Sequence, residues 1–336
     1  MTTTSTQIQL VRRPVGWPTH DDVRTVSVPL DELADGEVRV RNEFLSVDPY
    51  MRGRMNDVRS YVAPFALGET MTGGAVGRVV ESRSADHAVG DLVLHQLGWR
   101  DVAQADAAAF RVLPAIEGTS PSLYLSVLGM TGFTAYLGLT RIARLAEGDR
   151  VFISGAAGAV GTAAGQIARL LGASQVIGSA GSDEKTALLR DKYGYDIALN
   201  YRDAPIREQL NAAVGETGID VYFDNVGGDH LEAALDVFND GGRAALCGAI
   251  VGYNSTERTP GPDNMSAIIT RALTLTGFTV GAHLEHYPEF TARMTEWFGS
   301  GLIAVDETVV TGLENTFDAF LAMLRGANTG KMIVAL

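Results

Sequence analysis

The segment that most restricts the fold is the short apolar strand Val151–Ser154 running into Gly155-Ala156-Ala157-Gly158-Ala159-Val160-Gly161. A helix follows, Val160–Leu171, apolar on most faces and ended by Gly172. Small residues let a backbone turn tightly and approach a pyrophosphate, and a helix N-terminus offers free N–H groups and partial positive charge. A strict Gly-x-Gly-x-x-Gly is absent, because Ala156 stands where the pattern has Gly. The turn takes its weight from context. It opens a series in which strands at Gln175–Ser179, Ile197–Asn200, Asp220–Asp224, Arg243–Gly248 and Leu273–Phe278 alternate with helices at Asp183–Tyr193, Ile206–Val214 and His230–Phe238. Six strands with intervening helices predict an α/β fold with a doubly wound parallel sheet of the Rossmann type.

The remaining chain has another texture. At 336 residues it exceeds one compact core. Its first 120 or so residues read as β-rich, with Val-rich segments at Gln7–Val11, Glu37–Phe44, Gly74–Glu81 and Leu92–His95. The apolar stretch Leu123–Leu139 holds Gly129, Gly132, Gly138 and several hydroxyls, which predicts a buried helix and not a membrane span. After Gly301 come short strands, a helix at Thr316–Arg325 and a last strand, Lys331–Leu336. The expected division is 1–125 with 303–336 for the β-rich domain, and 126–302 for the nucleotide domain.

Charge and cysteine content narrow the function. A net charge of −13 leaves no basic surface for nucleic acid. Met1–Gln9 is polar, without the apolar core of a signal, and Cys247 is the single cysteine. A cytoplasmic protein with a small-molecule partner is expected.

An NAD site wants a carboxylate at the tip of the second strand. Here the tip reads Ser179-Ala180-Gly181-Ser182, and Lys185 follows in the next helix. That favours a 2′-phosphate, hence NADPH. A charge-assisted bond from Lys185 contributes roughly 1.5–3 kcal/mol, with the Ser182 hydroxyl and free backbone N–H groups assisting.

Several blocks now occur in a recognisable order: Ser46-Val47-Asp48-Pro49-Tyr50-Met51-Arg52, Gly129-Met130-Thr131-Gly132-Phe133-Thr134-Ala135-Tyr136, Ala156–Gly161, Gly181–Lys185, Phe223-Asp224-Asn225-Val226-Gly227-Gly228, Cys247-Gly248-Ala249-Ile250 and Asn328-Thr329-Gly330-Lys331. Over nearly its whole length the chain resembles the leukotriene dehydrogenase/prostaglandin reductase branch of the zinc-free medium-chain dehydrogenases/reductases, which includes curcumin and alkenal reductases. The resemblance implies a GroES-like β domain carrying the substrate wall and a Rossmann domain carrying NADPH. It implies Lys185 and Tyr201 at the 2′-phosphate, with Gly158, Ala159, Val160 and Gly161 at the pyrophosphate turn. It also puts Asn225 and the loop Cys247, Gly248, Ala249, Ile250 to Tyr253 near the ribose and nicotinamide. Phe278, Thr279 and Val280 would meet the nicotinamide amide, and Asn328 would reach the cofactor from the tail. Relatives often carry a hydroxyl residue before Tyr253, where this chain has Gly252, and commonly Ala at Gly155. A homodimer through the edge of the nucleotide-domain sheet is implied as well.

Two activation chemistries lack their residues. Catalytic zinc takes three protein ligands, yet the stretch corresponding to Gly-His-Glu reads Gly68-Glu69-Thr70, and Asp48 stands at the first ligand position. His283 and His286 form the only close His pair and read as loop surface beside Pro288. No Tyr is followed four residues later by Lys. Without such activation an enone is an easier hydride acceptor than a simple ketone, because charge moves to its carbonyl oxygen as an enolate that one hydrogen-bond donor can hold. Tyr253, in the loop after the fifth strand, is the first candidate donor and Tyr50 the second. The expected reaction is NADPH-dependent reduction of the carbon–carbon double bond of an apolar α,β-unsaturated ketone or aldehyde. A quinone reductase of the same superfamily and a non-catalytic NADPH-binding protein are the alternatives. Met51, Phe65 and Met130 each read as core more readily than as substrate wall.

Overall fold

The structure is a computed structural model and describes residues 3–116, 118–257 and 260–336. It divides into two units, Met1–Leu125 with Glu307–Asn328 and Met332–Leu336, and Ser126–Asp306 with Thr329–Lys331.

The first unit opens with β1 (Thr4–Leu10) and β2 (Val23–Pro29), an antiparallel pair. Next come β3 (Glu37–Ser46), the short helix α1 (Tyr50–Arg54), β4 (Ala75–Ser82), β5 (Leu92–His95), β6 (Val102–Asp106) and β7 (Arg111–Val112). The long strand β3 is the hub, pairing antiparallel with both β4 and β6.

The stretch expected as one buried helix is three pieces: a 3-10 turn at Pro121–Leu125 in the first unit, then α2 (Met130–Leu137) and a π turn, Gly138–Ile142, in the second. Gly129 is the break, because its φ of −121° and ψ of −145° are not helical. Gly132 permits the tight entry, since a Cβ there would overlap the Val127 carbonyl oxygen. The alternation then runs β8 (Arg150–Ile153), α3 (Ala159–Leu170), β9 (Gln175–Ala180), α4 (Asp183–Asp191), β10 (Ile197–Asn200), α5 (Ile206–Val214), β11 (Ile219–Asp224), α6 (Asp229–Val237), β12 (Phe238–Leu246), α7 (Ser266–Thr270) and β13 (Thr274–Gly277). The six strands lie parallel in the order β10-β9-β8-β11-β12-β13. This is the expected doubly wound fold, with its switch point between β8 and β11. Strands covered on both faces must be apolar throughout. Phe152, Ile177, Tyr222 and Phe223 are accordingly fully buried, and Phe152 and Tyr222 stack at 5.2 Å.

A helix that the sequence reading did not anticipate, α8 (Tyr287–Gly299), buries Phe290 and Met294 and packs Phe290 against Phe133 and Tyr136 of α2. The tail supplies β14 (Glu307–Thr311), α9 (Thr316–Leu324) and β15 (Lys331–Ala335). β15 pairs with β3 and completes a sheet in the order β14-β15-β3-β4-β5-β7. Phe317 and Phe320 of α9 enter the core of the first unit, where Trp99 meets Phe320 edge-on at 6.0 Å.

Candidate cofactor and active site

Every parallel strand of the second unit ends on the same edge of its sheet, and ligands of such sheets bind beyond the carboxyl ends at the switch point. After β8 the chain turns through Gly155, whose φ of +59° lies in the left-handed region that favours glycine. The Ala156 N–H donates to Ser179 at 2.8 Å, holding the turn beside the end of β9. Gly158 caps α3 with its own N–H on the Gly155 carbonyl. Gly158, Ala159 and Val160 are half-exposed, whereas Gly161 is buried against the turn. A Cβ at Gly161 would sit 2.5 Å from the Ala156 Cα and 2.6 Å from two carbonyl oxygens. α3 thus packs this close to the turn because its third residue has no side chain. Gly161→Ala is expected to cost about 1–3 kcal/mol of stability by overpacking, and to weaken NADPH binding as α3 is pushed off the turn. Thermal melting and a fluorescence titration with NADPH read both effects.

The second strand end builds a cationic corner. Ser182 caps α4, its hydroxyl accepting the Lys185 N–H at 3.3 Å. Lys185 is half-buried, and burial, followed by the charge of Arg202, holds its pKa below the ordinary lysine value. Tyr201 and Arg202 leave β10 directly. The Tyr201 N–H donates to Ala180, and a Cβ on Gly181 would come within 2.5 Å of the Tyr201 hydroxyl. Gly181 therefore makes room for that hydroxyl beside the turn. Asn200 fixes the corner, donating to Asp183 at 2.9 Å and to Asp203 at 3.0 Å and accepting the Arg202 N–H. The Tyr201 ring stands edge-on to His230 at 5.4 Å, and burial lowers the His230 pKa to about 4, so this ring support is neutral at physiological pH. Among the described residues no carboxylate forms an ion pair with Arg202. Two cations close enough for Arg202 to lower the Lys185 pKa, beside the N-terminus of α4, fit a phosphate group, so the residues present fit NADPH. Arg202 was missed by the sequence reading; its signal was a second basic residue immediately after Tyr201.

Beyond β11 the organiser is Asp224, also unassigned from sequence. Its buried Oδ1 accepts the Ser154 hydroxyl at 3.0 Å, the Tyr222 hydroxyl at 2.7 Å and the N–H groups of Val226 and Gly227 at 2.9 and 2.8 Å. Asn225 donates its N–H to the Ser154 hydroxyl and its side-chain amide to the Ser154 carbonyl, which ties the ends of β8 and β11 together at the switch point. The Cys247 and Gly248 N–H groups donate to the Asp224 carbonyl, so the loop after β12 is anchored to the same residue. Burial, with Asp224 adding, pushes the Cys247 thiol up to about 12, which keeps it protonated. Ile250 and Val251 bond back to Asn225 and Val226, and Tyr253 follows with its N–H on Ile250. Burial raises the Tyr253 pKa, Cys247 and Asp224 raise it further, and the Ala249 backbone amide opposes them. Phe278, Thr279 and Val280, all half-exposed, follow β13, and the Phe278 N–H donates to Leu246.

The sheet edge thus gathers Gly158–Gly161, Ser182, Lys185, Tyr201, Asn225, Cys247–Ile250, Tyr253 and Phe278–Val280. Tyr50 and Asn328 belong to the other unit. Tyr50 lies in the first turn of α1, its pKa raised by burial and by Asp48, with Arg54 opposing. Asn328 is covalently next to Thr329–Lys331, whose Gly330 N–H donates to Ala157 at 2.9 Å. Asp48, at the first zinc-ligand position of zinc relatives, is buried and accepts the Ser46 hydroxyl.

A β-rich unit interrupted by a six-stranded nucleotide-binding sheet defines a medium-chain dehydrogenase/reductase. Residues 6–113 match the family described as the N-terminal domain of oxidoreductase, and residues 159–298 the one described as zinc-binding dehydrogenase. A putative NADP-dependent oxidoreductase of Bacillus subtilis is 42% identical over 99% of this chain and 98% of its own. The NADPH-dependent curcumin reductase of Escherichia coli is 38% identical over 97% of this chain and 95% of its own. The crystal structure of CurA from Vibrio vulnificus in complex with NADPH superposes with a TM-score of 0.93 at 41% identity, covering 98% of each chain. The chain belongs to the branch of this superfamily that holds the curcumin, prostaglandin and 2-alkenal reductases. It is an NADP-dependent oxidoreductase.

Proposed function

We propose that this enzyme reduces the carbon–carbon double bond of apolar α,β-unsaturated ketones and aldehydes, with the carbonyl left intact. The observation that carries the reading is Tyr253, a phenol whose proton is retained by burial, on the loop anchored to the switch point by Asp224. When bound, NADPH supplies the hydride that adds to the β-carbon. Lys185, Arg202 and Ser182 hold the 2′-phosphate, and the open turn at Gly158–Gly161 takes the pyrophosphate. Asn225 and the Cys247–Ile250 loop line the ribose, and Phe278–Val280 the nicotinamide. Tyr253 donates a hydrogen bond to the carbonyl oxygen as charge collects there, and water supplies the proton taken up at the α-carbon, which completes the saturated product. No zinc is needed at that oxygen, since Asp48 is engaged by Ser46 and the neighbouring stretch, Gly68-Glu69-Thr70, has no histidine.

The test follows NADPH absorbance with a medium-chain alkenal, an aryl butenone, a curcumin-like dienone, a quinone and a saturated aldehyde, with NADH in parallel. Oxidation by the enones, giving products saturated at the double bond, supports the reading. Turnover of the quinone alone makes the chain a quinone reductase, and NADPH binding without any turnover makes it a non-catalytic binder.

Among the described residues no helix is long and apolar enough to cross a membrane, and the single thiol suits a reducing cytoplasm. Among the described residues β13 ends its sheet with one side unpaired. Such an edge invites pairing, and we place the homodimer contact there. Light scattering on the eluted peak should give twice the chain mass.

A further inference from the structure

The chain leaving β13 carries a group of polar side chains that the reduction does not use. His283, Glu285 and His286 present two imidazole nitrogens and a carboxylate oxygen, all within 4.8 Å of one another. Local backbone geometry brings them together. Leu284–His286 is one 3-10 turn with His283 as its N-cap, and the His286 N–H donates to the His283 carbonyl at 3.1 Å. Residues three apart eclipse in 3-10 geometry. The two rings therefore stand over one another, with centroids 6.5 Å apart and planes 21° apart. The Glu285 Oε1 lies 3.9 Å from the His283 Nδ1 and 3.7 Å from the His286 Nε2, too far for a hydrogen bond to either. No other side chain among the described residues bonds to these ring nitrogens. The histidine side chains are 31% and 30% exposed and that of Glu285 is 64% exposed, so an ion reaches all three from solvent.

We propose that His283, Glu285 and His286 bind one divalent transition-metal ion, with water completing its coordination. Two imidazoles, a carboxylate and an open position form a recurrent N/O ligand set for zinc, and imidazole also suits copper and nickel. Bonds of about 2.0–2.2 Å require the three groups to draw together, a rotamer adjustment open to side chains that are only half-buried. Calcium and magnesium take oxygen ligands and are rejected. The ion joins the turn to the start of α8, directly after the Val280–Ala282 turn whose Val280 carbonyl accepts the His283 N–H, and the proposal does not depend on the reaction proposed above.

The test is a titration of the full-length, cofactor-free protein with zinc against a chromophoric chelator, with magnesium as control and cobalt as spectroscopic probe. One zinc per chain is expected, undisturbed by millimolar magnesium, with a cobalt spectrum of N/O ligation. His283→Ala and His286→Ala should each weaken binding about tenfold or more, because each removes one of only three protein ligands. Glu285→Gln should weaken it less, and all three variants should melt like the parent without metal. Absence of zinc binding, undiminished affinity in both histidine variants, or a cobalt–thiolate band pointing to Cys247 would each overturn the proposal.

Discussion

Tyr253→Phe is expected to lower turnover of an enone about a hundredfold or more, with the NADPH dissociation constant nearly unchanged. Removing one preorganised donor at a developing oxyanion typically costs roughly 2.7–4 kcal/mol. The phenylalanine keeps the ring and its packing on the loop, so the loss isolates the hydroxyl. Because burial raises the Tyr253 pKa, the group stays protonated to higher pH than a free phenol near 10. Any alkaline fall in turnover that belongs to this donor must therefore begin above the free-phenol value. Stopped-flow traces of NADPH oxidation, with and without saturating substrate, separate the chemical step from binding. Unchanged turnover would transfer the donor role to a ribose hydroxyl or to water, while leaving the cofactor assignments intact.

The double replacement Lys185→Ala and Arg202→Ala should bring the NADPH and NADH affinities close to parity. Lys185 alone is expected to account for about ten- to a hundredfold, the worth of a charge-assisted bond. Arg202 is exposed, and its single variant should cost only a few-fold. The two are neighbours, so their effects need not add. Titrations with 2′,5′-ADP and 5′-ADP read the phosphate corner without any turnover. The sign of the pH effect follows from the geometry. Burial and Arg202 lower the Lys185 pKa, so the free protein sheds that charge at a lower pH than an ordinary lysine would. NADPH affinity should accordingly decline on the alkaline side before that of a site built on an unperturbed lysine. Equal losses for NADPH and NADH would remove both residues from the 2′-phosphate.

The nucleotide sheet was legible because a strand buried on both faces cannot hide its composition. Val151-Phe152-Ile153 and Val176-Ile177 are apolar runs between amphipathic helices. Segments with weaker signatures escaped. β2 reads Val-Arg-Thr-Val-Ser-Val-Pro and, among the described residues, pairs only with β1, so its half-exposed alternation resembles loop. α8 escaped because Pro288 was read as a loop residue. In the first turn of a helix proline lacks only an N–H that has no partner there anyway, and Phe290 and Met294 beyond it supply the buried face. In the candidate site, the residues proposed for the cofactor that lie in short-range motifs could be named from their blocks. Asp224 could not be given its role. Its four hydrogen bonds converge from β8, β11 and the turn after it, and only folding brings those donors to one oxygen. Arg202 was obscured for a similar reason, since its partner in charge lies one strand and one helix away.

The pairing of Ile333 with Ser46 also dictates an order of assembly. The nucleotide unit is nearly continuous in sequence from Ser126 to Asp306, and all its strand pairs form within that stretch. The β-rich unit cannot fill the place beside β3 until β15 has left the ribosome, and closing so long a loop is slow. Until then β3 has an unsatisfied edge of backbone donors and acceptors, the kind of surface that captures other chains. Synthesis thus passes through a stage in which most of the cofactor half has been made while the other half still waits for β14, α9 and β15.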